Sequence, residues 1–277
     1  MNRKTIHVAH SPDSDDAFMF YALAAGRIPT GRYEFIHHLD DIETLNAAAE
    51  QGLYEVTAVS IHAYAGLAER YALTRCGASM GEGYGPIVVS KSPLSAHDLK
   101  GMRVAVPGLR TSAYLALRLF EPEFEPVVVP FDRITGAVDR DEVPAGLLIH
   151  EGQLFYPEQG LHKVVDLGEW WSRETGLPLP LGGNAIRRDL PEKEIREVSA
   201  LIEESIRYAL EHRQDALTHA LEYGRGLDWA QGERFVSMYV NQRTLDYGDD
   251  GRRAVQLFLD RGYEAGFLPR RVEVQFV

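Results

Sequence analysis

The chain has 277 residues, with 29 Lys and Arg against 41 Asp and Glu, so its formal charge is −12 with histidine neutral. With 45% apolar and 25% charged residues it has the composition of a chain that folds around a core, which excludes disordered, collagen-like and coiled-coil architectures. The acidic balance repels phosphate backbones and anionic lipid, so nucleic acid and membrane surfaces are poor partners, and the length suits two modest lobes or one large α/β domain.

The elements follow in order. Thr5 to Ala9 reads as a first strand and Asp15 to Ala25 as a helix with Phe18, Met19, Ala22 and Leu23 on one face. Tyr33 to His38 and Glu55 to Val59 are further strands, each followed within a few residues by a helix, Ile42 to Glu50 and Ile61 to Glu69. A short strand near Ala72 to Arg75, a glycine-rich turn and a strand from Pro86 to Ser90 come next. Arg103 to Val106 opens a second series, with a helix from Thr111 to Phe120 and strands at Pro126 to Val129 and Gly146 to Ile149. Leu179 to Arg188 reads as an extended return segment, and the remainder as helices: Glu192 to Glu211, Gln214 to Tyr223, Trp229 to Tyr239 and Gly251 to Glu264. The repeated strand-helix unit predicts an α/β fold with largely parallel strands. Two such series joined by two extended crossings predict two lobes: lobe I from 1–90 plus 178–277, and an inserted lobe II from 91–177. Ligand is expected in the cleft between them, where strand carboxyl ends and helix starts converge.

Several motifs are excluded. Gly81 to Pro86 has neither the lysine and hydroxyl of a P-loop nor dinucleotide spacing, and reads as a turn or hinge. His150 and Glu151 begin like a metalloprotease motif, but Leu154 stands where its second histidine belongs, so no metal is expected. His7 and His10, three apart in a strand, point to opposite faces. The single cysteine, Cys76, reads as a small core residue. The first residues are too polar for a secretory leader and nothing reaches the length of a membrane span, so the default address is the cytoplasm.

Three places carry candidate chemistry. The loop His10 to Phe18 caps a helix through Asp13 or Ser14, with Asp15 and Asp16 against its dipole; Ser11 and Asp13 are also candidates to bind substrate hydroxyls. Ser60, and Thr111 with Ser112, open helices free of carboxylates and are candidate anion sites, although plain capping predicts the same residue types. His150 follows the buried run Ala145 to Ile149, and an imidazole at a strand end beside a cleft suits a general base as well as it suits a structural histidine.

These segments resemble a known family. Ser11-Pro12-Asp13 with Asp16-Ala17-Phe18, Val59-Ser60-Ile61-His62-Ala63-Tyr64-Ala65, Val104 to Gly108 with Thr111 to Tyr114, Gly146-Leu147-Leu148-Ile149-His150-Glu151, Trp170-Trp171 through Gly182, and Tyr239-Val240-Asn241 are similar to 1,4-dihydroxy-6-naphthoate synthases. That family cleaves cyclic dehypoxanthine futalosine on the futalosine route to menaquinone. The resemblance implies a two-lobe periplasmic-binding-protein-like (type II) fold, no cofactor, a small-molecule carboxylate substrate, His150 as the base, and substrate-binding positions at Ala58, Val59, Ser60, Thr111 and Ser112. Two departures bear on substrate anchoring: some members carry lysine where this chain has Ala58, and a Cys-Pro-Asn-Asp loop where it has Asp13 to Asp16. The rival readings are a solute-binding receptor and the sister enzyme chorismate dehydratase. Trp229 and Phe235 read as exposed, which permits a homodimer as well as a monomer.

Overall fold

The computed structural model describes residues 3–224 and 226–277. In chain order the first sheet is entered by β1 (Lys4–His10), α1 (Ser14–Ala24), β2 (Tyr33–Leu39), α2 (Ile42–Gln51), β3 (Val56–Ser60), α3 (Ile61–Leu67), β4 (Tyr71–Leu73) and β5 (Ser79–Gly81). The second sheet follows with β6 (Ile87–Ser90), β7 (Arg103–Val106), α4 (Ser112–Phe120), β8 (Glu125–Val128), α5 (Ile134–Asp139), β9 (Ala145–Leu148), α6 (Gly152–Phe155) and β10 (His162–Asp166). After α7 (Leu167–Thr175) the chain returns through β11 (Leu179–Arg187) and ends in α8 (Glu192–Glu211), α9 (Arg213–Leu221), α10 (Trp229–Tyr239), α11 (Gln242–Leu245) and α12 (Gly248–Glu264).

The first sheet runs β2-β1-β3-β11-β4, with β5 paired on β11, and the second runs β10-β6-β9-β7-β8. The chain therefore crosses between sheets twice, before β6 and before β11. The strand Ile87 to Ser90, expected to close the first lobe, instead sits between β9 and β10 of the second sheet. The crossing lies just before it, in the turn at 82–86. The sheets are also less parallel than the strand-helix alternation suggests, because β11 runs antiparallel to β3, β4 and β5, and β6 antiparallel to β9 and β10. Both reversals follow from the crossings: a strand that enters a sheet from the other lobe has no crossover helix to turn it parallel.

Packing explains the helical third. Val198, Ile202, Ile206 and Ala209 recur at helical spacing along α8 and are fully buried. They pack with α1, whose residues Ser14 to Leu23 are all buried because sheet strands cover one side and α8 to α10 the other. Truncating Ile202 to Ala in such a core costs about 2–5 kcal/mol. Phe235, read as exposed, is 1% exposed and faces inward with Tyr239 one turn on, whereas Trp229 is 47% exposed. No helix among the described residues is long and apolar enough to cross a membrane.

Candidate active site

A cleft opens between the two sheets, lined by residues of both. The topology brings every residue singled out in the sequence to its wall. Ser11 and Asp13 come from the turn after β1, and Ala58, Val59 and Ser60 from the end of β3; Thr111, Ser112 and His150 face them from the second sheet.

On the wall stands an Asp-His pair that bridges the lobes. His150 Nδ1 lies 2.9 Å from Asp13 Oδ2, with the carboxylate side chain 3% exposed and the imidazole 16%. Asp13 also caps α1, its Oδ1 accepting the Asp16 N–H at 3.4 Å. Asp16 Oδ2 in turn accepts the Ser11 N–H at 2.7 Å. Burial pushes the Asp13 carboxyl up, but the His150 imidazole, followed by hydrogen bonds from His150, Asp15 and Ser11, outweighs it and holds Asp13 below the usual carboxylate range. The neighbours go the other way. Burial, then the charges of Asp13 and Asp16, push Asp15 well up; burial and then Asp13 push Asp16 up to about 8. Three carboxylates in one loop therefore do not all ionise: Asp13 is the anion, and Asp15 and Asp16 hold protons. Capping accounts for Asp13 as a residue type, as expected, but its carboxylate is also committed to His150.

The other polar groups on the wall are hydroxyls and amides. Ser60 is not the open helix start that its sequence suggests, since its N–H donates to Asn46 Oδ1 at 2.9 Å and its Oγ accepts from Asn46 Nδ2 at 3.0 Å. What Ser60 retains for the cleft is its hydroxyl proton. Thr111 acts as a plain N-cap: Oγ1 accepts the Tyr114 N–H at 3.2 Å and donates to Gly108 O at 2.9 Å. Behind that cap Ser112 and Ala113 line the cleft at the positive end of α4. His62 joins the two sides, its N–H donating to Ser112 Oγ at 3.1 Å and its Nδ1 lying 3.1 Å from Thr111 O. Burial pushes His62 down to about 4, so the ring is neutral and Nδ1 carries the donated proton. Among the described residues, the wall contains no Lys or Arg.

Three wall residues escaped the sequence reading. Asn184, in the middle of β11 and 1% exposed, turns its Nδ2 inward without a hydrogen-bond partner. Gln153 and Tyr239 meet beside His150. A polar residue within an apolar strand was the available signal for Asn184; Tyr239 lay in a segment already marked by resemblance, and Gln153 had no signal beyond its position three residues after His150. The fold also gathers Asp13, Asp15 and His150 so that one ligand atom of each lies within 4.8 Å of the others, a grouping that linear spacing did not show. Its geometry suits protons: Asp13 and His150 are already at hydrogen-bond distance, and Asp15 shares a hydrogen bond with Asp13.

Comparison with known proteins identifies the family. A family model described as menaquinone biosynthesis matches residues 6–264. The chain is 44% identical over 256 residues to a 1,4-dihydroxy-6-naphthoate synthase of Thermus thermophilus, covering 91% of this chain and 92% of that protein. It is 36% identical to the enzyme of that name from Streptomyces coelicolor, over 97% of this chain and 96% of the other. Among solved structures, a protein of Archaeoglobus fulgidus superposes with a TM-score of 0.91 at 49% identity, covering 95% and 98% of the two chains. An alkanesulfonate-binding protein from Xanthomonas axonopodis superposes with a TM-score of 0.73 over the whole of both chains at 15% identity, which shows the two-lobe periplasmic-binding-protein-like fold and nothing of ligand. On a match that spans nearly its whole length, the chain belongs to the menaquinone-biosynthesis family whose curated relatives are 1,4-dihydroxy-6-naphthoate synthases.

Proposed function

We propose that this protein is a carbon–carbon lyase that cleaves cyclic dehypoxanthine futalosine to 1,4-dihydroxy-6-naphthoate, with His150 as the general base. The observation that carries the proposal is the Asp13–His150 contact on the wall of the inter-lobe cleft. In this reading Nδ1 donates to Asp13, the ring takes up a proton at Nε2, and the buried carboxylate stabilises the imidazolium that forms. Asp13 therefore serves the base, while hydroxyl recognition falls to Ser11 and the Asn184 amide.

The substrate carboxylate rests on the Ser60 hydroxyl and the start of α4 at Ser112 and Ala113, with Ala58, Val59 and Thr111 shaping the wall around it. Local donors have to hold it, because the acidic protein offers no net attraction to an anion. With the anion held there, His150 withdraws a proton from the ribose-derived part, the carbon–carbon bond breaks, and its electron pair enters the ring system that becomes the naphthoate. Aromatisation supplies the driving force, so orientation and one base are sufficient. The residues form a cytoplasmic small-molecule enzyme in this reading, with lobe I contributing Ser60 and Asp13, and lobe II, from β6 to α7, contributing Ser112, Ala113 and the base.

Incubation of the purified protein with cyclic dehypoxanthine futalosine tests the assignment. Appearance of the naphthoate is the expected result. Binding without turnover identifies a receptor instead, and dehydration of chorismate identifies the sister enzyme.

A further inference from the structure

His150 is held in an unusual backbone conformation, and one side chain accounts for it. Its φ is +53°, in the left-handed region that disfavours a side chain; among the described residues only Asp141 shares this among non-glycines. Such a conformation costs ~1 kcal/mol or more and persists only where surrounding contacts fix it. Those contacts converge on Gln153. The Gln153 backbone N–H donates to His150 O at 3.2 Å, closing the turn on one side. On the other, the Gln153 carboxamide, oriented so that both its ends are satisfied, accepts the His150 N–H through Oε1 at 3.2 Å. Its Nε2 donates to Gly85 O and to Tyr239 Oη, both at 2.6 Å.

The anchors belong to three separate parts of the molecule: α6 of the second lobe, the crossing before β6, and α10 of the C-terminal helices. Each is itself fixed. Tyr239 is 3% exposed with its ring edge-on to Tyr84, and the Tyr84 hydroxyl donates to Met238 O. Gly85 sits so close to α7 that an added Cβ would lie 2.9 Å from the Gly168 nitrogen, so the carbonyl facing Gln153 has little freedom to move. Gln153 is 7% exposed, and its amide has no bulk water to exchange with.

We propose that Gln153 is a positioning residue that, with Tyr239, fixes the His150 peptide in its left-handed turn and so sets the imidazole against Asp13. This inference rests on the assignment of His150 as the base. Gln153 touches the chain on both sides of the base and the two structural parts against which lobe II is set, so its removal loosens the imidazole without removing any substrate-binding group.

The test pairs kinetics with a direct readout of the imidazole. In Gln153→Ala, kcat for cleavage is expected to fall about 30- to 100-fold, the scale of a misplaced reacting group, with KM within about threefold. The acidic limb of the pH profile moves to lower pH, because an imidazolium held less closely by Asp13 loses its proton more readily. NMR titration of the His150 ring, assigned by comparison with His150→Gln, shows the same downward displacement. Tyr239→Phe keeps the ring packing and removes one anchor, and gives a smaller change of the same kind; it decides the matter if Gln153→Ala does not fold. Folded Gln153→Ala and Tyr239→Phe proteins with wild-type kcat and an unmoved His150 titration overturn the inference, as does a raised KM with kcat intact. A displaced titration in a protein that does not cleave the substrate upholds the positioning role and overturns the functional assignment alone.

Discussion

Two kinds of strand-to-helix turn meet on the cleft wall, one acidic and one built on hydroxyls. At the end of β1 the helix start is crowded with Asp13, Asp15 and Asp16, and the loop is so buried that two of the three carboxyls keep their protons. At the end of β3 and at the start of α4 stand Ser60 and Thr111, and the nearby Glu43 carboxylate accepts the Arg110 N–H and pairs with its guanidinium. In the proposed function the first turn holds one anion of the protein's own, set against a histidine, and the second leaves hydroxyls for an anion that arrives with the substrate.

Substitutions that act on one set of groups only will break or sharpen that contrast. His150→Ala is expected to lower kcat by at least ~100-fold, the low end of general-base contributions, with little change in KM. Asp13→Asn retains the shape but not the charge; kcat should fall by at least ~10-fold and the acidic limb of its pH profile should move to lower pH, as expected for an imidazolium without its anion. Among the proposed anion-binding groups, Ser60→Ala should raise KM by about tenfold, one charge-assisted hydrogen bond, and leave kcat within about threefold. Steady-state kinetics across pH reads all three, and a Ser60 variant that lost kcat instead would erase the distinction.

Stability provides a weaker effect with a definite sign. Asp16 is pushed up from 3.8 to about 8, so the folded state keeps a proton that the unfolded chain releases; this contribution is complete below about pH 4 and is lost as pH rises through 8. His10 and His37, whose rings meet at 3.0 Å, behave oppositely. Burial, then His37, pushes His10 down to about 3, and burial, then His219, pushes His37 down to about 4. They stay neutral in the folded state, so their contribution is full above about pH 6.5 and is lost toward acid. The carboxyls therefore act alone on the alkaline side, and urea unfolding should show stability falling from pH 6.5 to 8 by about 1.4 kcal/mol per pH unit for Asp16. Asp16→Asn should reduce that slope; an unchanged slope would place the retained proton elsewhere. The smallest effect expected is none at all: dialysis against a chelator should leave turnover unchanged if Asp13, Asp15 and His150 hold protons, and activity restored by a divalent ion would contradict that reading.

Local signals made much of this fold readable from sequence. Strands and helices follow from apolar spacing, and the two crossings from the change of texture near residues 86 and 176. Pairing is a different matter. Ile87 to Ser90 was recognisable as a strand, but nothing within it says which sheet receives it, and its place between β9 and β10 is decided by partners far along the chain. Phe235 was misread although its own helix held the answer, since Tyr239 one turn later marks the same buried face. In the site, the individual residues were legible as types suited to capping, anion binding or proton transfer. That Asp13 belongs to His150 and Asn46 to Ser60 was not, because both contacts exist only once the sheets are assembled.

The account stands most directly on a single-turnover measurement of His150→Gln at saturating substrate. Ligand binding near the wild-type affinity, with carbon–carbon cleavage slowed by at least ~100-fold, is the predicted result. Cleavage at the wild-type rate, or loss of binding in step with loss of cleavage, would contradict a cleft in which one set of groups holds the substrate and His150 removes its proton.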